Sequence, residues 1–141
     1  MPPHPGRVIV ACDGASRGNP GPAGAGAQLV DANGTVLSEV AEGLGETTNN
    51  VAEYTAVIRG LERALELGVR TVLLRSDSLL LINQLTGVYR VKTPHLQPLH
   101  RRVRQIAARF DSIEYEHVRR ERNTEADRLA NEAVDAWLAA R

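Results

Sequence analysis

Several features common in proteins are scarce or missing from this 141-residue sequence. It has one cysteine, Cys12, so no internal disulfide can form, which excludes a disulfide-stapled scaffold and indicates a reducing compartment. No apolar run approaches the ~20 residues that span a membrane, and residues 1–6 lack the apolar stretch of a signal peptide. We therefore expect a cytoplasmic protein that makes no membrane contact, with Cys12 buried and unreactive.

The charges are balanced overall but unevenly distributed. The 17 basic and 17 acidic residues give a net charge of zero, which argues against indiscriminate binding of nucleic acid. Residues 1–85 are net acidic by three charges, and residues 86–141 are net basic by three. Lys92 is the only lysine. The many arginines suit bidentate contacts with phosphate or carboxylate, although high-GC codon usage would give the same excess.

Hydrophobic periodicity predicts five strands and four helices in the order βββαβααβα. Asn33-Gly34 is a strong hairpin signal, so the first three strands should form an antiparallel meander. The strand–helix–strand crossover makes the first and fourth strands parallel neighbours. We therefore expect an α/β fold whose five-stranded mixed sheet has three antiparallel strands, then two parallel ones, with helices on both faces. Strands are predicted at 7–12, 23–30, 35–41, 71–75 and 113–118, helices at 50–67, 78–85, 94–110 and 124–140, a disordered tail at 1–6 and a single domain at 7–141.

Two strands of this sheet stop at an aspartate. Asp13 follows the first strand and Asp77 follows the fourth. If these strands are parallel neighbours, both aspartates emerge at the same carboxyl edge, where open α/β sheets bind ligands. Taken singly, Asp13 is also explained as a turn residue and Asp77 as a helix cap.

Two helices carry an acid where an apolar residue is expected. Glu53 and Asp127 fall on stripes of otherwise apolar side chains. A carboxylate pointed towards a core is costly unless it is paired or bound to a metal. The spacings Asn50-x-x-Glu53 and Thr124-x-x-Asp127 also fit capping boxes, which is the structural alternative for each residue.

The four carboxylates together favour a metal site. Four converging negative charges without nearby cations would repel one another strongly, and two divalent cations would cancel them. Ligands that are all oxygen suit Mg²⁺, with Mn²⁺ as a substitute, rather than zinc. Two such ions can clamp both the attacking and the leaving oxygen of a phosphodiester.

The motifs around these acids resemble those of ribonuclease H, type I. The resemblance covers residues 7–137 in the same order and spacing, and it implies an enzyme that cuts the RNA strand of an RNA/DNA hybrid with two Mg²⁺ ions, leaving 3′-hydroxyl and 5′-phosphate ends. It implies that Asp13 bridges the two ions and that Glu53, Asp77 and Asp127 complete their ligands. We expect such a protein to be a monomer. The matching segments are 13–22 (DGASRGNPGP), 47–53 (TTNNVAE), 76–78 (SDS) and 123–130 (NTEADRLA).

The same resemblance assigns contacts to the substrate. An A-like hybrid presents 2′-hydroxyls in a wide, shallow minor groove, which the backbone amides of the Gly-rich loop could read. Thr48 is assigned to a phosphate of the DNA strand. The remaining predicted substrate contacts are Gly14, Ser16, Gly18, Asn19, Asn49 and Asn123.

The chain departs from the family pattern after the third motif. Many members insert a basic helix and loop there, whereas residues 87–93 here join two helices directly. Candidate phosphate contacts remain on the next helix and just before it, with a solvated helix face as the alternative; they are Lys92, Arg101, Arg102 and Arg104. Leu79 stands where several relatives have a polar substrate contact, so we expect weaker affinity. We also expect no separate hybrid-binding domain ahead of the catalytic one.

The loop before the last aspartate lacks the histidine that many family members carry. It is shortened to residues 119–122, and His117 is the nearest histidine. Because strand residues alternate between faces, His117 should share a face with Ile113 and Tyr115 and pack beneath a helix. Arg120 or Arg122 could instead neutralise charge on the leaving phosphate.

Two other functions remain open from the sequence. The first is a non-catalytic nucleic-acid-binding module of the same fold, which the loss of any of the four acids would favour, but all four are present. The second is a nuclease of different specificity, such as a transposase or junction resolvase domain, which usually comes with partner domains.

Overall fold

The computed structural model describes residues 4–141, in which five strands form one mixed sheet of order β3–β2–β1–β4–β5. β1 pairs antiparallel with β2 and parallel with β4, and β4 pairs parallel with β5. The predicted order of elements, the meander and the mixed sheet are therefore confirmed. The strands are β1 (His4–Ser16), β2 (Gly21–Val30), β3 (Val36–Thr47), β4 (Val69–Ser76) and β5 (Ser112–His117), and the helices are α1 (Asn49–Glu66), α2 (Leu79–Leu85), α3 (Gln97–Ala107) and α4 (Thr124–Ala139), with short 3₁₀ turns at Pro94–Leu96 and Arg120–Arg122.

β1 is longer at both ends than the sequence pattern predicts. The N–H of His4 donates to the carbonyl oxygen of Gly68 (2.8 Å), so the predicted tail at residues 1–6 is wrong for residues 4–6; residues 1–3 lie outside the described residues. At its other end β1 continues to Ser16, which pairs with Ala23. Backbone pairing needs no particular side chain, so apolar patterning does not reveal these extensions.

The hairpin between β2 and β3 forms where Asn33-Gly34 predicts it. The Asp31 carboxylate accepts the N–H groups of Asn33 and Thr35, both at 2.9 Å. Gly34 has φ +85°, a left-handed conformation that glycine adopts without strain. β3 then runs on to Thr47 rather than ending at residue 41, and so it leads directly into α1.

Helices cover both faces of the sheet. α1 lies against the face that carries Val10 and Cys12, where Gly60 leaves room for both side chains. α4 lies against the opposite face, at Gly24 and Gly26 of β2. Cys12 is buried as predicted, and burial raises the pKa of its thiol. No helix within residues 4–141 is long and apolar enough to cross a membrane.

Candidate active site

The four predicted carboxylates converge at the carboxyl edge of the sheet. Cys12 of β1 pairs with Ser76 of β4 in parallel register, so the next residues, Asp13 and Asp77, emerge side by side. Helix α1 adds a third acid and helix α4 a fourth. Asp13, Glu53, Asp77 and Asp127 thus line a single cavity of about 470 Å³, which we call the acidic cavity.

Glu53 reaches this cavity because β1 and α1 approach each other closely at Gly14. A Cβ at Gly14 would overlap the backbone of Ala52 and Glu53. The predicted capping box at Asn50 and Glu53 is not formed, because α1 begins earlier, with Thr48 as its N-cap. The Thr48 hydroxyl accepts the N–H of Val51 (3.2 Å), and Glu53 is thereby left free to face the cavity.

Asp127 lies in the first turn of α4, which Asn123 ties to the sheet. The Asn123 amide donates to the carbonyl oxygen of Cys12 (2.9 Å), beside Asp13, and the residue is only 2% exposed. The Asn123 side chain, predicted to contact substrate, is thus enclosed in this structure and is used to hold α4 against β1. The capping box predicted at Thr124 and Asp127 is also absent, since Asn123 is the N-cap and no side chain caps the helix.

The acids in the cavity disfavour one another's charge. Burial raises the pKa of Asp13 to about 8, and the charges of Asp77, Asp127 and Glu53 add to the rise. A hydrogen bond between the Asp13 and Asp127 side chains, which needs a proton on one of them, acts in the same direction. Burial also raises the pKa of Glu53 to about 7, although a hydrogen bond from Ser78 opposes it. When no cation is bound, the state in which all four carboxylates are ionised is therefore disfavoured.

Arg120 is the arginine of the short loop that reaches the acids. It lines the acidic cavity, and its charge opposes the rise that burial causes in the pKa of Asp77. Arg122 instead lines a separate cavity of about 720 Å³ with Arg75, Glu116 and His117. The two predicted alternatives for the leaving phosphate are thus separated, and only Arg120 is beside the carboxylates.

His117 is exposed, so the prediction that its ring packs beneath a helix is wrong. It is the last residue of β5, where strand alternation no longer determines which neighbours cover a side chain. Its charge, like that of Arg120, opposes the rise in the pKa of Asp77. His117 therefore lies near the site, outside the acidic cavity.

The predicted substrate residues of the first two motifs form one edge of the acidic cavity. Gly14, Ser16 and Asn49 line it, while Gly18 and Asn19 are exposed beside it. The Asn19 side-chain oxygen accepts the backbone N–H of Asn49 (3.1 Å), which joins the two motifs. The Ser16 hydroxyl is used internally, on the carbonyl oxygens of Gly18 and Thr47.

A third cavity, of about 630 Å³, lies between the end of α2 and α3. Arg101 and Arg104 line it with three residues that the sequence analysis missed, Tyr89, Arg90 and His100; we call it the basic cavity, because no acidic residue lines it. Tyr89 is 52% exposed. Tyr89 lies in the connection that follows α2, where the fold requires no aromatic side chain. An aromatic residue at such a place is the sequence signal that could have identified Tyr89. Arg102 points elsewhere and pairs with Glu62 of α1 (3.3 Å).

The ligand chemistry of the acidic cavity is that of a hard cation. Its four acids offer only oxygen, which Mg²⁺ and Mn²⁺ prefer. No three acidic, histidine or cysteine side chains within residues 4–141 are already gathered around one point that an ion could occupy. The raised pKa values of Asp13 and Glu53 mark carboxyl groups whose charged forms a nearby cation would stabilise.

Comparison with known proteins agrees with this geometry. A family model described as reverse transcriptase-like matches residues 11–133. Ribonuclease HI of Halobacterium salinarum is 45% identical over 135 residues, which cover 96% of this chain and 68% of that protein. A bifunctional protein of Mycobacterium tuberculosis is 47% identical over 131 residues, but this chain spans only 36% of its length.

Solved structures give the same result in three dimensions. The RNase H1 of Halobacterium salinarum superposes with a TM-score of 0.90, covering 93% of this chain and 99% of that one. LC11-RNase H1, isolated from compost by a metagenomic approach, is 43% identical and was solved in complex with an RNA/DNA hybrid, with a TM-score of 0.88 and coverage of 93% and 99%. From its fold, its converging acids and these relatives, the chain belongs to the type 1 ribonuclease H family of enzymes.

Proposed function

We propose that this chain is an endoribonuclease that hydrolyses the RNA strand of RNA/DNA hybrids and leaves 3′-hydroxyl and 5′-phosphate ends. The observation that carries the proposal is the convergence of Asp13, Glu53, Asp77 and Asp127 in one cavity. The hybrid bound to LC11-RNase H1, a relative at 43% identity, supports the choice of substrate.

We infer that the acidic cavity would hold two Mg²⁺ ions, for which Mn²⁺ could substitute, because its four acids offer only oxygen ligands. As the family resemblance implies, Asp13 would be the ligand shared between the ions, and the charges of the other three acids add to the rise that burial causes in its pKa. Glu53, Asp77 and Asp127 would complete the ligands. When bound, two such ions stabilise negative charge on the attacking and the leaving oxygen of a phosphodiester.

The reaction is a hydrolysis with a simple balance of bonds. A water oxygen attacks the phosphorus, the bond between phosphorus and the ribose 3′-oxygen breaks, and that oxygen takes up a proton. One RNA fragment then ends in a 3′-hydroxyl and the other begins with a 5′-phosphate. Arg120 lies beside Asp77 at the cavity wall, where its guanidinium would offset charge on the departing strand.

The hybrid would lie across α2, between the acidic and the basic cavities. Ser78, just before α2, lines the acidic cavity, and Gln84, near its end, lines the basic one. These residues are six apart, which is about 9 Å along a helix. A duplex on this face would present its RNA strand to the carboxylates and other phosphates to Arg101 and Arg104, while Asn19 and Asn49 border its minor groove.

The test is a comparison of substrates. The protein is incubated with labelled RNA/DNA hybrid, duplex RNA and duplex DNA, each with Mg²⁺ and with chelator. We expect cleavage of the RNA strand of the hybrid in Mg²⁺ alone. Binding of the hybrid without cleavage would support a non-catalytic module, and preferential cleavage of either other duplex would support a nuclease of different specificity.

We further propose that the protein is a cytoplasmic monomer. The single cysteine thiol is buried and its pKa is raised. A thiol of this kind is compatible with a reducing compartment, although it does not require one. Light scattering coupled to size-exclusion chromatography would give the mass in solution, and a mass near 15.3 kDa is expected.

A further inference from the structure

Three polar residues of α4 fall on one stripe of the helix. Asp127, Asn131 and Asp135 are spaced by four residues, so their side chains follow one another along the same face. Asp127 and Asn131 line the acidic cavity. Arg17, in the loop that follows β1, lies over this stripe and lines the same cavity. The stripe therefore joins a cavity acid to the substrate-side loop.

The contacts along this stripe form a continuous chain. Arg17 pairs with the Asp135 carboxylate (2.6 Å), and its guanidinium also approaches the backbone carbonyl oxygen (3.4 Å) and the side-chain oxygen (3.5 Å) of Asn131. The Asn131 amide nitrogen, in turn, lies 3.0 Å from the Asp127 carbonyl oxygen and 3.3 Å from the Asp127 carboxylate. Arg17 is thus connected to Asp127 through a single side chain.

The chemistry of the amide fixes the direction of these contacts. A guanidinium only donates, so the group of Asn131 that faces Arg17 must be its oxygen. The NH₂ group is then left facing Asp127, where it donates to a carboxylate that only accepts. Arg17 consequently supports the same orientation of the Asn131 amide that its two contacts with Asp127 favour, and Asn131 restrains the Asp127 carboxylate.

We propose that Asn131 is a positioning residue for Asp127 and that Arg17 holds Asn131 in its working orientation. The proposal rests on the proposed function, since it concerns how one carboxylate of that site is presented. Residues that hold metal ligands typically change metal affinity or activity 10- to 100-fold when they are removed. Asn131 would hold the metal ligand Asp127 in this way, and Arg17 would act on Asp127 through Asn131.

A purely structural role for Asn131 predicts a different behaviour. Its amide donates to the carbonyl oxygen four residues earlier in α4, a contact that adds little to a helix and can slightly weaken it. Alanine is the best helix former, so Asn131→Ala should leave the melting temperature in chelator close to that of the parent. A positioning role should instead alter how the protein responds to Mg²⁺.

The test compares Asn131→Ala with Glu132→Ala, the same truncation at the next residue of α4, whose carboxylate pairs with Arg128 away from the cavity. The melting temperature is measured against Mg²⁺ concentration without substrate. We expect the Mg²⁺ midpoint to rise roughly tenfold in Asn131→Ala and to stay unchanged in Glu132→Ala. On hybrid, kcat should fall roughly tenfold with KM within about twofold.

Arg17 is tested in both backgrounds. Arg17→Ala should raise the Mg²⁺ midpoint about threefold in the parent and have no further effect in Asn131→Ala, because contacting residues couple. The control is Arg128→Ala, which removes an arginine of α4 that has three acidic partners. This substitution should leave the Mg²⁺ midpoint unchanged. Equal midpoints in the parent and Asn131→Ala, or an Arg17→Ala effect that persists in Asn131→Ala, would overturn the proposal. If the parent binds Mg²⁺ but cuts no hybrid, the proposed function fails while this test still stands.

Discussion

Asp13 of β1 pairs with Gly26 of β2, and a Cβ at Gly26 would overlap the backbone of α4 at Ala126 and Ala130, on either side of Asp127. The absence of a side chain at Gly26 is what lets α4 bring Asp127 up to Asp13. Geometry at the acidic cavity therefore depends on a residue that carries no functional group.

Gly26→Ala should displace α4 and impair both stability and catalysis. Because the obstructing atoms are backbone, no rotamer change can relieve the overlap, and overpacking of this kind costs about 1–3 kcal/mol. We expect a lower melting temperature and a kcat reduced beyond what unfolding explains. Gly34→Ala is the matched control: φ +85° makes it strained, but it is far from the cavity, so it should lose stability and keep kcat. Equal kcat for the two folded variants would refute this account.

Stability without metal should fall as the pH rises. Asp13 and Glu53 have folded pKa values of about 8 and about 7, whereas carboxyls of an unfolded chain ionise near pH 4. Between about pH 4 and pH 8 the folded protein thus holds more protons than the unfolded chain, so the free energy of unfolding decreases with pH over that window. Melting curves in chelator from about pH 5 to pH 8 would check this slope.

Asp13→Asn should flatten that slope, because it removes the most strongly shifted of these groups. At about pH 8 in chelator the variant should melt above the parent, since one of the repelling charges is gone. Asp111→Asn serves as the control: it removes a carboxylate that pairs with Arg70 outside the cavity, and it should leave the slope unchanged. A parent curve that is flat across this range would contradict the mutual repulsion of the acids.

Arg120→Ala should lower kcat by roughly tenfold or more, which corresponds to about 1.4 kcal/mol of barrier. The reason is its position at the wall of the acidic cavity, beside Asp77. Arg122→Ala and His117→Ala should both stay within a few-fold of the parent, and His117→Ala should not lower the melting temperature because the side chain is exposed. Steady-state kinetics and a melt of each variant decide this, and a large kcat loss confined to His117→Ala would reverse the assignment.

Removing Arg101 and Arg104 together should flatten the salt dependence of hybrid binding. Each lost phosphate contact reduces the slope of log affinity against log salt by about 0.7–0.9. The control removes the same charge from arginines already paired with acids, Arg63→Ala with Arg70→Ala, and should change the slope much less. Titrations by fluorescence anisotropy at several salt concentrations give both slopes. Equal slopes for the two double variants would show that Arg101 and Arg104 do not contact phosphate and belong to a solvated helix face.

The sequence pattern predicts the sheet order and the meeting of the acids for a definite reason. The crossover rule makes β1 and β4 parallel neighbours, and that alone puts Asp13 and Asp77 at one edge. The periodicity of α1 and α4 then places Glu53 and Asp127 on faces turned towards the sheet. These steps depend only on chain connectivity and side-chain period, both of which can be read from the residues.

Other features depend on tertiary contacts that no local pattern encodes. The sequence predicts Asn123 to be an exposed polar residue. It is enclosed instead, because its amide donates a hydrogen bond to the carbonyl oxygen of Cys12, which lies 111 residues earlier in the chain. Thr48, rather than Asn50, caps α1 because β3 runs on into the helix. The exposure of His117 follows from where β5 ends, and strand boundaries are not determined by alternation alone.

The most direct test of the central claim uses a hybrid whose RNA strand is labelled, cut by equal amounts of the parent and Asp13→Asn in Mg²⁺. The prediction is that the parent gives RNA fragments ending in 3′-hydroxyl and 5′-phosphate, that chelator abolishes them, and that Asp13→Asn, shown by its melt to be folded, retains at most a few per cent of the rate. Cleavage by folded Asp13→Asn at a rate comparable with the parent would contradict the assignment of the four converging acids as the catalytic site.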